Sequence, residues 1–176
     1  MKNVVLIGFM GTGKTSTGKV LAAKLGAAFI DMDQKIEEEA KMTIPEMFNK
    51  YGEAYFREKE HELACRLAAR QNAVISTGGG TVKNKANIEA LHKSGVIVCL
   101  SANVNTILTR TSSRGTRPVL DKADDGDRRQ AVEKLLNERK VLYKQADFMV
   151  DTSELSPLLV VDEIIRFLKT RGVLHA

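Results

Sequence analysis

The chain has 176 residues, 43% of them hydrophobic and 28% charged, which fits one soluble globular domain with a real core and excludes a disordered or fibrous chain. No apolar run is long enough to span a bilayer, and Met1-Lys2-Asn3-Val4-Val5 carries no signal-peptide pattern, so a cytoplasmic protein without a membrane partner is expected. The net charge of +5 argues for an anionic small molecule over nucleic acid, because the basic residues are dispersed and aromatics make up only 5%.

In chain order, Val4-Val5-Leu6-Ile7 reads as a strand buried on both faces, followed by a helix from Thr15 to Leu25 that Gly26 stops. Ala28-Phe29-Ile30 is a second strand and Asp33 to Lys41 a charged helix. Ile44 to Arg70 is mostly helical, with a break near Tyr51-Gly52. Ala73 to Ser76 is a third strand, ending in Gly78-Gly79-Gly80. A helix from about Asn84 to Lys93 leads to strand Val96 to Leu100, and Asn103 to Arg110 is helical again. Ser112 to Asp127 is a polar loop, in which Asp124-Asp125-Gly126-Asp127 is a solvated turn; it lacks the downstream Glu of a calcium loop. Arg128 to Ala146 is a helix, Phe148 to Val150 the last strand, and Pro157 to Arg171 the closing helix. Five uninterrupted apolar strands joined by helices predict a parallel sheet in a three-layer α/β/α domain spanning 1–176. Cys65 and Cys99 fit no ligand pattern and are both expected buried and reduced, while His61, His92 and His175 are too scattered for a metal site.

The strongest motif is Gly8-Phe9-Met10-Gly11-Thr12-Gly13-Lys14-Thr15, placed between a strand and a helix as a phosphate loop requires. Its glycines let successive backbone N–H groups turn toward phosphate oxygens at a helix N-terminus. Lys14 then supplies a positive charge to the β and γ phosphates, and the Thr15 hydroxyl suits magnesium. Gly11, Thr12, Gly13 and Ser16 complete the candidate ATP contacts. A dinucleotide fingerprint is excluded, since Gly11-x-Gly13-x-x leads to Ser16 and leaves Lys14-Thr15 without a task.

Strand two ends in Asp31-Met32-Asp33, where strand alternation turns both carboxylates the same way beyond the sheet's carboxyl edge. One suits magnesium through its waters, and the other an acceptor hydroxyl or its proton; a turn with a helix cap at Asp33 is the plainer alternative. Gly78-Gly79-Gly80 points to close approach of backbone to a ligand rather than a flexible turn.

The phosphate loop, Asp31-x-Asp33, Gly52-Glu53-x-x-Phe56-Arg57-x-x-Glu60, Gly78-Gly79-Gly80, Arg110-x6-Arg117-Pro118 and Arg139-x3-Tyr143 occur in the order found in shikimate kinases. The chain resembles that family from Val4 to about Ile164. The resemblance implies a nucleoside-monophosphate-kinase-like P-loop fold and transfer of the γ-phosphoryl of Mg-ATP to the 3-hydroxyl of shikimate, on the route to chorismate and the aromatic amino acids. By the same resemblance Lys14, Asp33 and Arg117 carry catalysis, and Thr15 and Asp31 serve the magnesium. Asp33, Arg57, Gly78, Gly79, Gly80 and Arg139 bind shikimate within an acceptor segment of about 33–61 and the loops that face it. Arg110 and Pro157, with the stretch from Asp151, face the nucleotide base, and Arg117 lies in a mobile lid of about 112–124. A monomer is the family expectation. Val141 stands where many members have proline. A kinase of another hydroxy acid such as gluconate, or a silent nucleotide-binding domain, is the alternative; the latter would have lost Lys14, Asp33 or Arg117.

Overall fold

The computed structural model describes residues 1–111 and 125–174. The strands are β1 (Asn3–Gly8), β2 (Ala28–Asp31), β3 (Ala73–Ser76), β4 (Gly95–Ser101) and β5 (Phe148–Asp151). The helices are α1 (Lys14–Leu25), α2 (Met32–Ala40), α3 (Ile44–Tyr51), α4 (Glu53–Ala68), α5 (Lys85–Ser94), α6 (Val104–Arg110), α7 (Asp125–Tyr143) and α8 (Pro157–Thr170), with one 3₁₀ turn at Thr81–Lys83. All five strands run parallel, in the order β2-β3-β1-β4-β5. Parallel strands need crossovers, and the helices that provide them cover both faces.

The period of two along β1 divides the core. Val5 and Ile7 pack on one face with Met32, Met47, Phe56, Leu63 and Ile107; Val4 and Leu6 pack on the other with Leu21, Val160, Val161 and Ile164. Helices α1 and α8 therefore form one layer, and α2 to α7 the other. At the amino end of the sheet, buried Asn3 donates from Nδ2 to the Arg70 carbonyl (2.8 Å) and accepts at Oδ1 from the Ala73 N–H (3.1 Å). The carboxyl end is left for loops.

Three expectations are corrected. Asp125 to Asp127 open α7 rather than forming a turn, which suits acidic residues at the positive end of a helix. That helix also ends at Tyr143, three residues before Ala146. Cys65 is exposed, because it lies on the outer side of α4 while Leu63, Ala64 and Leu67 take the core side; Cys99 is buried as expected.

Candidate active site

The phosphate loop joins β1 to α1. Gly11 and Gly13 have φ of 80° and 91°, and Gly13 is the N-cap of α1, so the turn depends on a conformation that side chains disfavour. Thr12 locks the loop, donating its hydroxyl to the Phe9 carbonyl (2.7 Å), while its own carbonyl accepts from Thr152 Oγ1 (2.8 Å). Lys14 is buried and donates Nζ to the carbonyls of Gly8 (2.8 Å) and Phe9 (3.0 Å). Burial brings its ammonium down to about 8, opposed by the nearby Asp33 carboxylate.

The loop forms one wall of a cleft of about 460 Å³ at the carboxyl end of the sheet. Gly11, Gly13, Lys14, Thr15, Ser16, Asp31, Asp33, Arg57, Gly78, Gly79, Gly80, Arg110 and Arg139 all line it, so segments far apart in sequence converge on one volume. Thr12 and Pro157 are not among its lining residues: Thr12 is turned inward to the Phe9 carbonyl, and Pro157 opens α8 at the surface. Arg117 and the rest of the expected lid lie outside the described residues.

Asp31 and Asp33 reach the cleft by a route other than strand alternation. Asp31 ends β2 and caps α2, its Oδ1 accepting from the Gln34 N–H (3.1 Å), whereas Asp33 already belongs to the first turn of that helix. The cap is thus Asp31, not Asp33, and the capping residue is itself one that lines the cleft. Its Oδ2 accepts from Thr15 Oγ1 at 3.0 Å. A hydroxyl and a carboxylate beside a phosphate loop are the hard oxygen donors that magnesium prefers, so the pair fits that ion.

Asp33 lines the cleft near Glu60, Asp31, Lys14 and Arg57. Burial pushes its carboxyl up to about 7, helped by the Glu60 and Asp31 charges and opposed by Lys14 and Arg57. Its Oδ1 is buried without a hydrogen-bond partner, as is Arg139 Nε. Buried orphan groups of this kind, one anionic and one cationic, suit a ligand that carries both hydroxyls and a negative charge. Arg139 is fully buried, stacked over the Phe9 ring at 5.3 Å, and donates Nη1 to the Gly79 carbonyl at 2.8 Å. Tyr143 Oη donates to the same carbonyl at 3.4 Å; burial raises this phenol to about 12, which keeps it a donor. Helix α7 runs unbroken through exposed Val141, keeping Arg139 and Tyr143 in register on Gly79.

At the triple glycine the close approach is by side chains, where approach of a ligand was the expectation. A Cβ at Gly80 would lie 2.6 Å from both terminal nitrogens of Arg57, and one at Gly78 would lie 2.6 Å from Asp33 Oδ1. The side chains that approach are those of the site itself. Arg57 is not a free surface arginine: Nη1 donates to Glu60 Oε1 (3.0 Å), and Nε and Nη2 to Glu53 Oε1 (3.4 and 3.2 Å).

Sequence reasoning missed several members of the cleft. Glu60 was visible in a motif but given no role, although it is buried to 1% exposure and lines the cleft beside Asp33. Ile44, Phe48 and Phe56 form an apolar wall, whose signal was their spacing on α3 and α4. Arg110, expected near the base, holds the loop in this structure, donating to the carbonyls of Gly11 (3.2 Å) and Thr152 (2.9 Å) and to Thr152 Oγ1 (3.1 Å). It also borders a shallow groove with Asn105, Thr106, Thr109 and Ser153, which leaves a base contact open to it.

The family model described as shikimate kinase matches residues 10–169. The chain belongs to the shikimate kinase family. It is 45% identical to the shikimate kinase of Thermodesulfovibrio yellowstonii over 94% of each chain, and 43% identical to that of Pelotomaculum thermopropionicum over 99% of this chain and 100% of the relative. Among solved structures, the shikimate kinase of Acinetobacter baumannii in complex with shikimate superposes with a TM-score of 0.92 at 33% identity, covering 97% of this chain and 94% of that one. A gluconokinase from Sinorhizobium meliloti has a TM-score of 0.59 at 17% identity, a likeness of fold alone. The family's kinase architecture is therefore the frame on which the cleft is built. Among the described residues, no helix is long and apolar enough to cross a membrane.

Proposed function

We propose that this chain is a shikimate kinase that transfers the γ-phosphoryl of ATP to the 3-hydroxyl of shikimate, giving shikimate 3-phosphate and ADP. The observation that carries the reading is a single cleft lined by a phosphate loop, Asp33 and two arginines, Arg57 and Arg139. A phosphate loop alone serves many nucleotide enzymes. Its pairing with two guanidinium groups and a carboxylate selects an acceptor that is itself a hydroxylated carboxylic acid.

In this reading Arg57 and Arg139 hold the acceptor's carboxylate, and Asp33 accepts hydrogen bonds from its hydroxyls. The backbone around Gly78, Gly79 and Gly80 closes that side. With a carboxyl brought near 7 by burial, Asp33 is basic enough to take the hydroxyl proton as the oxygen attacks phosphorus. The new P–O bond forms as the bond to the β-phosphate oxygen breaks, and ADP leaves. Lys14 leaves the Gly8 and Phe9 carbonyls for the β and γ phosphates, with the N–H groups of Gly11 to Ser16 beside it. Thr15 and Asp31 would hold magnesium, which when bound neutralises charge on the β and γ phosphates. Arg117, by its place in the family motif, would stabilise the transferring phosphoryl from the lid, and Pro157 would border the base. A cytoplasmic monomer completes the proposal.

The test is magnesium-dependent ADP release from ATP with shikimate, gluconate or a nucleoside monophosphate as acceptor. Strong stimulation by shikimate alone is the expected result. Stimulation by gluconate instead would reassign the pocket, and equal ATP turnover with no acceptor would overturn the kinase reading.

A further inference from the structure

Glu60 is a buried carboxylate, and both of its oxygens are engaged. Oε1 accepts from Arg57, and Oε2 accepts from the hydroxyl of Thr81 at 2.9 Å. Thr81 is itself fully buried in the 3₁₀ turn after the triple glycine, and its carbonyl accepts from Asn87 Nδ2 at 3.0 Å. Asn87, also fully buried, uses its Oδ1 on His61 Nδ1 at 2.7 Å. The amide therefore has one orientation that satisfies both neighbours, and it fixes the backbone from which the Thr81 hydroxyl reaches Glu60. Nothing in the phosphoryl transfer described above uses Thr81 or Asn87.

The location makes the contact consequential. Glu60 lines the acceptor cleft between Arg57 and Asp33, and its Oε2 lies close to Gly78, where an added Cβ would come within 3.2 Å. A buried carboxylate oxygen that loses its donor must find another. Arg57 is the cationic donor already paired with this carboxylate, through one N–H to Oε1, and the freed oxygen would turn to it. The carboxylate then occupies donors that a bound acid would need, and a second negative charge is turned into the site.

We propose that Thr81 is a positioning residue for acceptor binding: its hydroxyl holds one oxygen of Glu60 away from Arg57, so that the guanidinium keeps donors for the acceptor's carboxylate. The inference rests on the reading of Arg57 as a carboxylate ligand. Thr81 touches no reactant and works through Glu60.

Thr81→Val keeps the shape and removes the donor. The expected result is a KM for shikimate raised about tenfold, the scale of one hydrogen bond to a charged group, with the KM for ATP and kcat within about twofold of the parent. Thr81→Ser restores the donor and returns the KM to within about twofold. A valine variant whose shikimate KM is unchanged overturns the proposal. So does one in which kcat and both KM values worsen together, or in which serine fails to rescue, because those are the signs of general loosening. If the valine variant does not fold, Thr81→Cys takes its place; its weak S–H donor should give an intermediate rise, and a KM equal to that of the serine variant counts against the idea. Arg57→Lys separates the two layers. If it leaves shikimate binding intact, the carboxylate assignment itself falls, whereas a damaged lysine variant beside a normal valine variant removes Thr81 alone.

Discussion

Asp33 and Arg57 show how much the cleft depends on individual groups. Because the Asp33 carboxyl is raised to about 7 by burial, the unprotonated base becomes available as pH rises, so kcat/KM for shikimate should climb through about pH 7 and level above it. Asp33→Asn should lose this rise and about 10²-fold or more in kcat, measured as initial rates across the pH range. The same shift has a consequence for stability. The folded state keeps its proton between 3.8 and about 7 while the unfolded chain has lost it, so this residue's contribution falls as pH rises through that window. The asparagine variant should therefore melt higher than the parent near pH 8 and lose that advantage near pH 4, an outcome calorimetry would read. Arg57→Ala should raise the KM for shikimate by about 10- to 100-fold and spare the KM for ATP, since Arg57 is proposed to hold the acceptor's carboxylate. Equal losses for both substrates would remove it from its proposed place.

At the scale of elements, the cleft wall that carries Ile44, Phe48 and Phe56 is a pair of helices with different means of support. Helix α3 is only eight residues long, too short to be stable alone, and begins with a complete capping box. Thr43 Oγ1 accepts from the Glu46 N–H at 3.3 Å, Glu46 Oε2 accepts from the Thr43 N–H at 3.2 Å, and Pro45 occupies the first turn. That helix carries Ile44 and Phe48 to the cleft. Thr43→Ala should cost about 1 kcal/mol of stability in denaturant melts and raise the KM for shikimate a few-fold, with ATP unaffected. An unchanged KM would mean that the wall is held by packing of Met47 and Phe56 without help from the cap. Helix α4 is held to α2 by the Arg66–Glu39 pair at 2.8 and 2.7 Å, but both residues are well exposed, so this fork contributes little against the burial of Leu63, Ala64 and Leu67.

Over the whole molecule, stability and function sit at opposite ends of the sheet. The carboxyl ends of the strands carry carboxylates, a phosphate loop and orphan polar atoms, a concentration of groups that costs folding energy. The amino ends are closed by Asn3, whose amide spans the Arg70 carbonyl, the Ala73 N–H and, at 3.4 Å, Ser94 Oγ. Asn3→Ala leaves buried backbone groups of β3 and its approach unpaired, and should lower stability by about 2–3 kcal/mol. The kinetic constants measured below the melting range should stay within about twofold. A selective change in KM for either substrate would show that the two ends are coupled through the sheet.

The sequence alone determined the α/β class, the five strands and the phosphate loop, because continuous apolar runs and a glycine-spaced turn act over short stretches of chain. Val4 to Ile7 read as a strand covered on both faces, and Gly13-Lys14-Thr15 as the opening of a helix after it. The family motifs also brought Asp33, Arg57 and Arg139 to notice together, although nothing local to Arg57 distinguished it from a solvated arginine. Tertiary structure decided what depends on neighbours distant in the chain. The order β2-β3-β1-β4-β5 comes from pairing across crossovers, which no local period encodes. Asp31 and Asp33 share a cleft through a strand-to-helix turn where strand alternation had been expected, and Cys65 faces outward because its helix buries another side. The raised carboxyl of Asp33, the engagement of Glu60 by Thr81, and the hold of Arg110 on the phosphate loop likewise arise from contacts between segments tens of residues apart. Desolvation and hydrogen bonding are properties of a place in the fold, and only packing creates that place.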